Sequence, residues 1–133
     1  MATELVSYLD SSALAKLVVA EPETSALRRH LRSRRMASSE LAVVELARVE
    51  KTAGPAQVPR ATAHGVLAEV DLVSLSRELL GRAAELTSRR VRSLDAIHLA
   101  TALAVEPEEL VAYDRRLLDA AAEAGLTVAS PGA

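Results

Sequence analysis

Four acidic residues stand out in this chain because their neighbours are apolar. Asp10 ends the short apolar run Leu5-Val6-Ser7-Tyr8-Leu9 and precedes Ser11-Ser12-Ala13-Leu14. Asp114 ends a second such run, Leu110-Val111-Ala112-Tyr113. Glu45 lies in Leu41-Ala42-Val43-Val44-Glu45-Leu46-Ala47-Arg48-Val49, where the residues three and four away on a helix are Leu41, Ala42, Arg48 and Val49. Asp95 falls in Ser93-Leu94-Asp95-Ala96-Ile97-His98-Leu99-Ala100. Burying an unpaired carboxylate is costly. Carboxylates that converge repel one another and raise each other's pKa values, and a divalent cation relieves both effects. An all-oxygen donor set with no Cys and few His favours Mg²⁺ or Mn²⁺. Such centres hydrolyse phosphodiesters by activating water and stabilising the attacking and leaving oxygens.

Each acid also has a plainer explanation. Asp is common in turns and at helix N-caps, which suits Asp10. Glu45 can pair with Arg48 one turn on. Asp95 in a first helical turn complements the helix dipole. His98, three residues after Asp95, can bond that carboxylate or be a satisfied core residue. A single His without a second at ligand spacing makes no zinc site.

The elements that must carry these residues follow from periodicity and punctuation. Residues 5–9, 36–38, 70–74, 110–113 and 127–129 read as strands. Helices are expected at 12–19, about 22–34, 40–52, 56–69, 76–87, 94–104 and 115–124. Ser11 or Ser12, Ser38 or Ser39, and Ser93 are the expected N-caps, Gly54-Pro55 a helix stop, and Gly125 a C′ residue. Strands alternating with helices predict an α/β fold: a three-layer sandwich with a mainly parallel central sheet flanked by helices. Asp10 and Asp114 would then project from one edge of that sheet, where ligands bind in open α/β folds. With 133 residues and no repeat or linker, residues 1–133 read as one domain.

Composition narrows the function classes. Hydrophobic residues make up 50%, enough for a core, and Cys is absent, which removes disulfides, thiol nucleophiles and cysteine metal sites. Glu4 and Asp10 interrupt the apolar start, so no signal peptide is expected, nor a membrane-spanning stretch, and a cytoplasmic location is the expectation. The net charge of −2 does not itself suggest nucleic acid, yet arginines cluster at Arg28, Arg29, Arg32, Arg34 and Arg35, at Arg89, Arg90 and Arg92, and at Arg115 and Arg116. The guanidinium fork suits phosphate; the alternative is a solvated helix face. Tyr8 and Tyr113 are the only aromatics, so any nucleic-acid binding would rest on phosphates and shape.

Four segments together resemble the signature segments of PIN-domain ribonucleases, and more closely the VapC toxins of VapBC toxin–antitoxin pairs. They are Tyr8–Leu14, Ser38–Arg48, Leu94–Ala102 and Val111–Leu117, in order over nearly the whole chain. The resemblance implies a PIN-like fold and a Mg²⁺-dependent (or Mn²⁺-dependent) endoribonuclease toxin acting on structured RNA, tRNA or rRNA. It implies that Asp10, Glu45, Asp95 and Asp114 form a catalytic, metal-binding quartet, with Ser12 matching the hydroxyl residue that follows the first Asp. His98, Arg89, Arg90 and Arg92 fall beside the quartet or on the substrate side. The implied partners are a VapB-like antitoxin, RNA and a second copy of the chain, in a homodimer or a heteromer with the antitoxin. Ala112 stands where the family often has Thr or Ser, which puts Asp114's role in doubt. Glu40 reads as a first-turn acid. Two other classes compete: a non-catalytic PIN-like module that binds RNA or protein, and a receiver-type phosphoryl-transfer domain. The latter would want an acidic pair on the first strand and a late Lys, whereas only Lys16 and Lys51 exist.

Overall fold

The computed structural model describes residues 4–53 and 62–133. Five strands form one sheet: β1 (Leu5–Leu9), β2 (Arg34–Ser39), β3 (Val70–Val73), β4 (Glu109–Val111) and β5 (Val128–Ala129). The spatial order is β3-β2-β1-β4-β5 and every pairing is parallel. Among the described residues seven helices accompany them: α1 (Ser11–Val18), α2 (Thr24–His30), α3 (Ala42–Thr52), α4 (Ala63–Leu67), α5 (Arg77–Ala84), α6 (Ser93–Val105) and α7 (Arg115–Glu123). The expected α/β sandwich is therefore present, with a sheet that is wholly parallel.

Strand side chains alternate between two apolar layers. Leu9 and Val111 join Leu14, Leu17, Leu27, Leu46 and Val66 on the face covered by α1 to α4. Tyr8 and Leu110 join Leu99, Ala102, Leu117 and Ala120 on the face covered by α6 and α7. Both faces of the sheet are covered, so its central strands carry apolar residues at successive positions. α6 is buried almost all round, at His98, Leu99, Ala100, Thr101 and Ala102, because α5 packs on its outer side.

The chain order reverses at β1. β2 and β3 extend the sheet to one side and β4 and β5 to the other. Loops at the carboxyl ends of β1 and β4 diverge there and leave a crevice. Asp10 directly follows β1, and Asp114 starts the helix after β4.

Several element boundaries differ from the expectation. Asp10, not Ser11 or Ser12, caps α1: its Oδ1 accepts from Ala13 N–H at 3.0 Å. Arg92, without a side-chain bond, occupies the N-cap of α6, so Ser93 is already helical. Ser39 lies before α3 and its Oγ accepts from Leu41 N–H at 3.1 Å. α2 stops at His30 because Ser33 turns left-handed at φ 64° and starts β2 with Arg34. β4 ends at Val111, two residues early, since Asp114 already adopts cap geometry. Gly125 takes φ 97° just past α7, the expected terminator. The expected stop at Gly54-Pro55 and the first part of the 56–69 helix lie outside the described residues; α4 is its described remainder.

One buried acid escaped the sequence reading. Glu109, at the amino end of β4, is 6% exposed. Its Oε2 accepts from Ser7 Oγ–H at 2.7 Å, lies 2.7 Å from His30 Nε2 and 3.3 Å from the Arg34 guanidinium. Those neighbours come from β1, α2 and β2, so this carboxylate joins elements at the end of the sheet away from the crevice. Glu109→Gln should keep the shape and lose the charge-assisted bonds, costing about 1–3 kcal/mol. Denaturant midpoints of mutant and wild type measure this; equal midpoints would show that the network contributes nothing.

Candidate functional site

A cavity of about 540 Å³ opens at the carboxyl edge of the sheet. Asp10, Glu45, Asp95 and Asp114 all line it, with Ser12, Arg48 and Val44 among their neighbours. Four separate pieces of chain deliver the acids: the β1–α1 turn, α3, the first turn of α6, and the N-cap of α7. The four residues singled out from the sequence are thus brought to one pocket.

Each acid has its own local donors. Asp10 is 2% exposed. Ser12 Oγ–H lies 2.7 Å from Oδ1 and 2.9 Å from Oδ2, and Ala13 N–H reaches Oδ1. Ser12 Oγ in turn accepts from Tyr113 N–H at 3.0 Å, which ties the β1–α1 turn to the segment before Asp114. Asp114 Oδ1 accepts from Arg116 N–H at 2.8 Å and Leu117 N–H at 3.3 Å. Asp95 sits in the first turn of α6, where the helix dipole favours an anion.

Glu45 does not pair with Arg48. Its Oε1 accepts from His98 Nε2 at 2.8 Å, and its side chain is 15% exposed. His98 is fully buried and its Nδ1 lies 2.8 Å from the Tyr8 hydroxyl. His98 is the satisfied core histidine of the plainer reading, with a partner on α3 in place of Asp95. Arg48 lines the pocket. Among the described residues its guanidinium makes no ion pair. Arg92 is exposed at the mouth of α6 and its charge reaches Asp95. Arg89 and Arg90 are exposed on the preceding loop and do not line the cavity. Glu40 also stays outside it.

Burial raises the Asp10 pKa from its ordinary 3.8 to about 6, and the charge of Asp95 adds to this against the donors just named. Asp95 is raised as well, first by burial and then by Asp114, with Glu45 contributing. These shifts mark a pocket that disfavours its own negative charge. Among the described residues no three acidic or histidine side chains are already drawn to metal-bonding spacing; the acids line the walls. The donor set is nevertheless all oxygen and strongly anionic, which fits a hard divalent cation such as Mg²⁺ or Mn²⁺.

In metal-free solution the raised Asp10 pKa has a measurable consequence. The folded state binds the proton more tightly than the unfolded state, so Asp10 lowers stability as pH rises from about 4 to 6. Asn keeps the capping geometry without the charge. With EDTA present, Asp10→Asn should melt higher than wild type at pH 7, and the gap should close toward pH 4. A mutant that melts lower at pH 7 would show that Asp10 serves the turn alone.

Comparison with known proteins agrees with this fold. A PIN domain is matched across residues 7–123. The chain is 44% identical over 127 residues to ribonuclease VapC46 of Mycobacterium tuberculosis, covering 93% of this chain and 96% of the relative. It is 42% identical over 134 residues to ribonuclease VapC47 of the same species, covering 95% and 97%. In fold it is similar to the crystal structure of M. tuberculosis VapC20, a sarcin–ricin loop cleaving toxin, with a TM-score of 0.67 at 16% identity over 94% of this chain and 99% of that one. A parallel sheet with four acids at its switch point, and such similarity along nearly the whole length, place the chain in the VapC family of PIN-domain ribonucleases.

Proposed function

We propose that this protein is a Mg²⁺- or Mn²⁺-dependent endoribonuclease toxin, with Asp10, Glu45, Asp95 and Asp114 as its catalytic and metal-binding residues. One observation carries the reading: four carboxylates from four elements line one pocket, and burial together with mutual charge raises the pKa of two of them. Asp10, Glu45 and Asp95 would hold the cation, and Asp114 would complete the acidic wall. When bound, the cation supplies an activated water and offsets charge building on the phosphate.

The protein's own groups do the positioning. Ser12 and Ala13 N–H hold the Asp10 carboxylate in one orientation. Asp114 is held by the first turn of α7. Arg48 is the one cationic side chain on the pocket wall among the described residues, suited to a substrate phosphate that the acids would otherwise repel. Arg92, whose charge reaches Asp95, and Arg89 and Arg90 before it would meet phosphates further along the RNA. Water adds to phosphorus, the P–O3′ bond breaks, and the products are a 5′-phosphate and a 3′-hydroxyl. The substrate class we propose is structured RNA, tRNA or rRNA. The partners are a VapB-like antitoxin that blocks the pocket, and a second copy of the chain. No helix among the described residues is long and apolar enough to cross a membrane.

Asp10→Asn, Glu45→Gln and Asp95→Asn should each abolish cleavage of an RNA pool while the fold persists, and Asp114→Asn should retain part of it. No cleavage by wild type with Mg²⁺ or Mn²⁺ would leave the non-catalytic binding module as the better reading. Cleavage unaffected by EDTA would overturn the metal dependence, and a folded Asp10→Asn protein that cleaves normally would overturn the four-acid assignment. Sequencing the ends of RNAs cut in cells identifies the substrate.

Arg89, Arg90 and Arg92 should act on binding. Where one of them neutralises an RNA phosphate, its replacement by Gln should reduce the slope of log affinity against log salt by about one. An unchanged slope for all three would assign them to the solvated surface.

A further inference from the structure

The His98 side chain is fully buried and touches a pocket acid without lining the pocket. Its surroundings are specific. A carboxylate only accepts, so Nε2 carries the proton that reaches Glu45 Oε1 at 2.8 Å. Nδ1 is then an acceptor, and the Tyr8 hydroxyl, 2.8 Å away, donates to it. The Tyr8 and His98 rings also meet edge to face, 5.9 Å between centroids. Burial raises the Tyr8 pKa, so the phenol keeps the proton this bond needs. The tyrosine is 0% exposed and comes from the centre of the sheet.

The path of this chain of bonds matters. Tyr8 lies two residues before Asp10 on β1, and His98 lies one turn after Asp95 on α6. Glu45 comes from α3, which packs on α1 and α4. The imidazole is therefore the link from the β1–α6 side, where Asp10 and Asp95 are fixed, to the acid on α3. Among the described residues His98 is the one hydrogen-bond partner of the Glu45 carboxylate. Among the described residues Oε2 has no protein partner, so one oxygen is held and the other is left to the pocket.

We propose that His98, seated by Tyr8, is a positioning residue that orients the Glu45 carboxylate toward the bound cation. The inference rests on the metal-pocket reading above. It assigns the Tyr8–His98–Glu45 chain a duty apart from core packing. Removing groups that hold a metal-binding carboxylate typically weakens metal affinity about 10- to 100-fold.

The test uses Mn²⁺ binding to the purified, folded protein, followed by electron paramagnetic resonance or calorimetry without RNA, beside kcat and KM for RNA cleavage. His98→Leu should weaken Mn²⁺ binding by about 10-fold or more, and lower kcat with KM for RNA little changed. His98→Gln carries an amide N–H toward Glu45 and should recover most of the affinity. Tyr8→Phe should give an intermediate loss. If wild type binds Mn²⁺ and a folded His98→Leu binds it equally, the positioning role falls while the metal pocket stands. If wild type binds no Mn²⁺ at all, the pocket reading falls and takes this inference with it. Should His98→Leu not fold, Tyr8→Phe decides: weaker Mn²⁺ binding supports the inference and wild-type binding overturns it.

Discussion

Everything at the carboxyl edge of this sheet answers to one constraint: an anionic side chain, Asp10, held almost out of water beside three other acids. Repulsion grows as the local dielectric falls. The protein meets this without a neutralising cation of its own on each acid. Asp10 has a serine hydroxyl and a backbone N–H, Glu45 an imidazole N–H, Asp114 two N–H groups of its helix, and Asp95 the dipole of α6. These dipolar donors steady each carboxylate and leave the site as a whole negative. A pocket of this kind remains attractive to a divalent cation, where a set of ion pairs would have cancelled that attraction.

Glu109 shows the other solution. It is nearly as buried as Asp10, yet it meets His30, Arg34 and Ser7. Its charge is spent on joining strand and helix ends. The two ends of one sheet thus treat the same chemical group in opposite ways, one as a structural tie and one as a reactive edge. The topology makes the separation possible, because all five strands run in parallel and present all their carboxyl ends on one side.

The arginines separate in the same manner. Members of the first cluster are engaged within the fold. Arg34 pairs with Glu109, Arg35 pairs with Asp71, and Arg28 reaches the Leu17 carbonyl. Among the described residues Arg48 is the arginine that lines the acidic pocket, and the charge of Arg92 reaches Asp95. Arg28 and Arg29 lie on α2, Arg32 in the turn after it, and Arg34 and Arg35 on β2, where the last two are spent on ion pairs, so linear clustering overstated the shared surface.

The sequence by itself determined the layered α/β fold and the placing of Asp10 and Asp114 at one sheet edge, while the grouping of Glu45 and Asp95 with them rested on the likeness of four segments to PIN-domain ribonucleases. Its periodicities distinguish strand from helix, and an acid at the end of an apolar run has few places to go other than the sheet edge. The helix face of α1, with Ala13, Leu14, Leu17 and Val18 inward, was legible for the same reason. The tertiary structure decided who bonds to whom. Local spacing offered Arg48 to Glu45 and Asp95 to His98, both one turn away, but burial set the outcome. His98 is sealed between α6 and the sheet, where it needs two partners, and the groups within reach there are Tyr8 and Glu45, 90 and 53 residues distant in the chain. Ser12's link to Tyr113 and the Glu109 network are long-range in the same way. Such bonds leave no periodic trace, because they depend on which elements the sheet order brings together and not on the residues beside them in sequence.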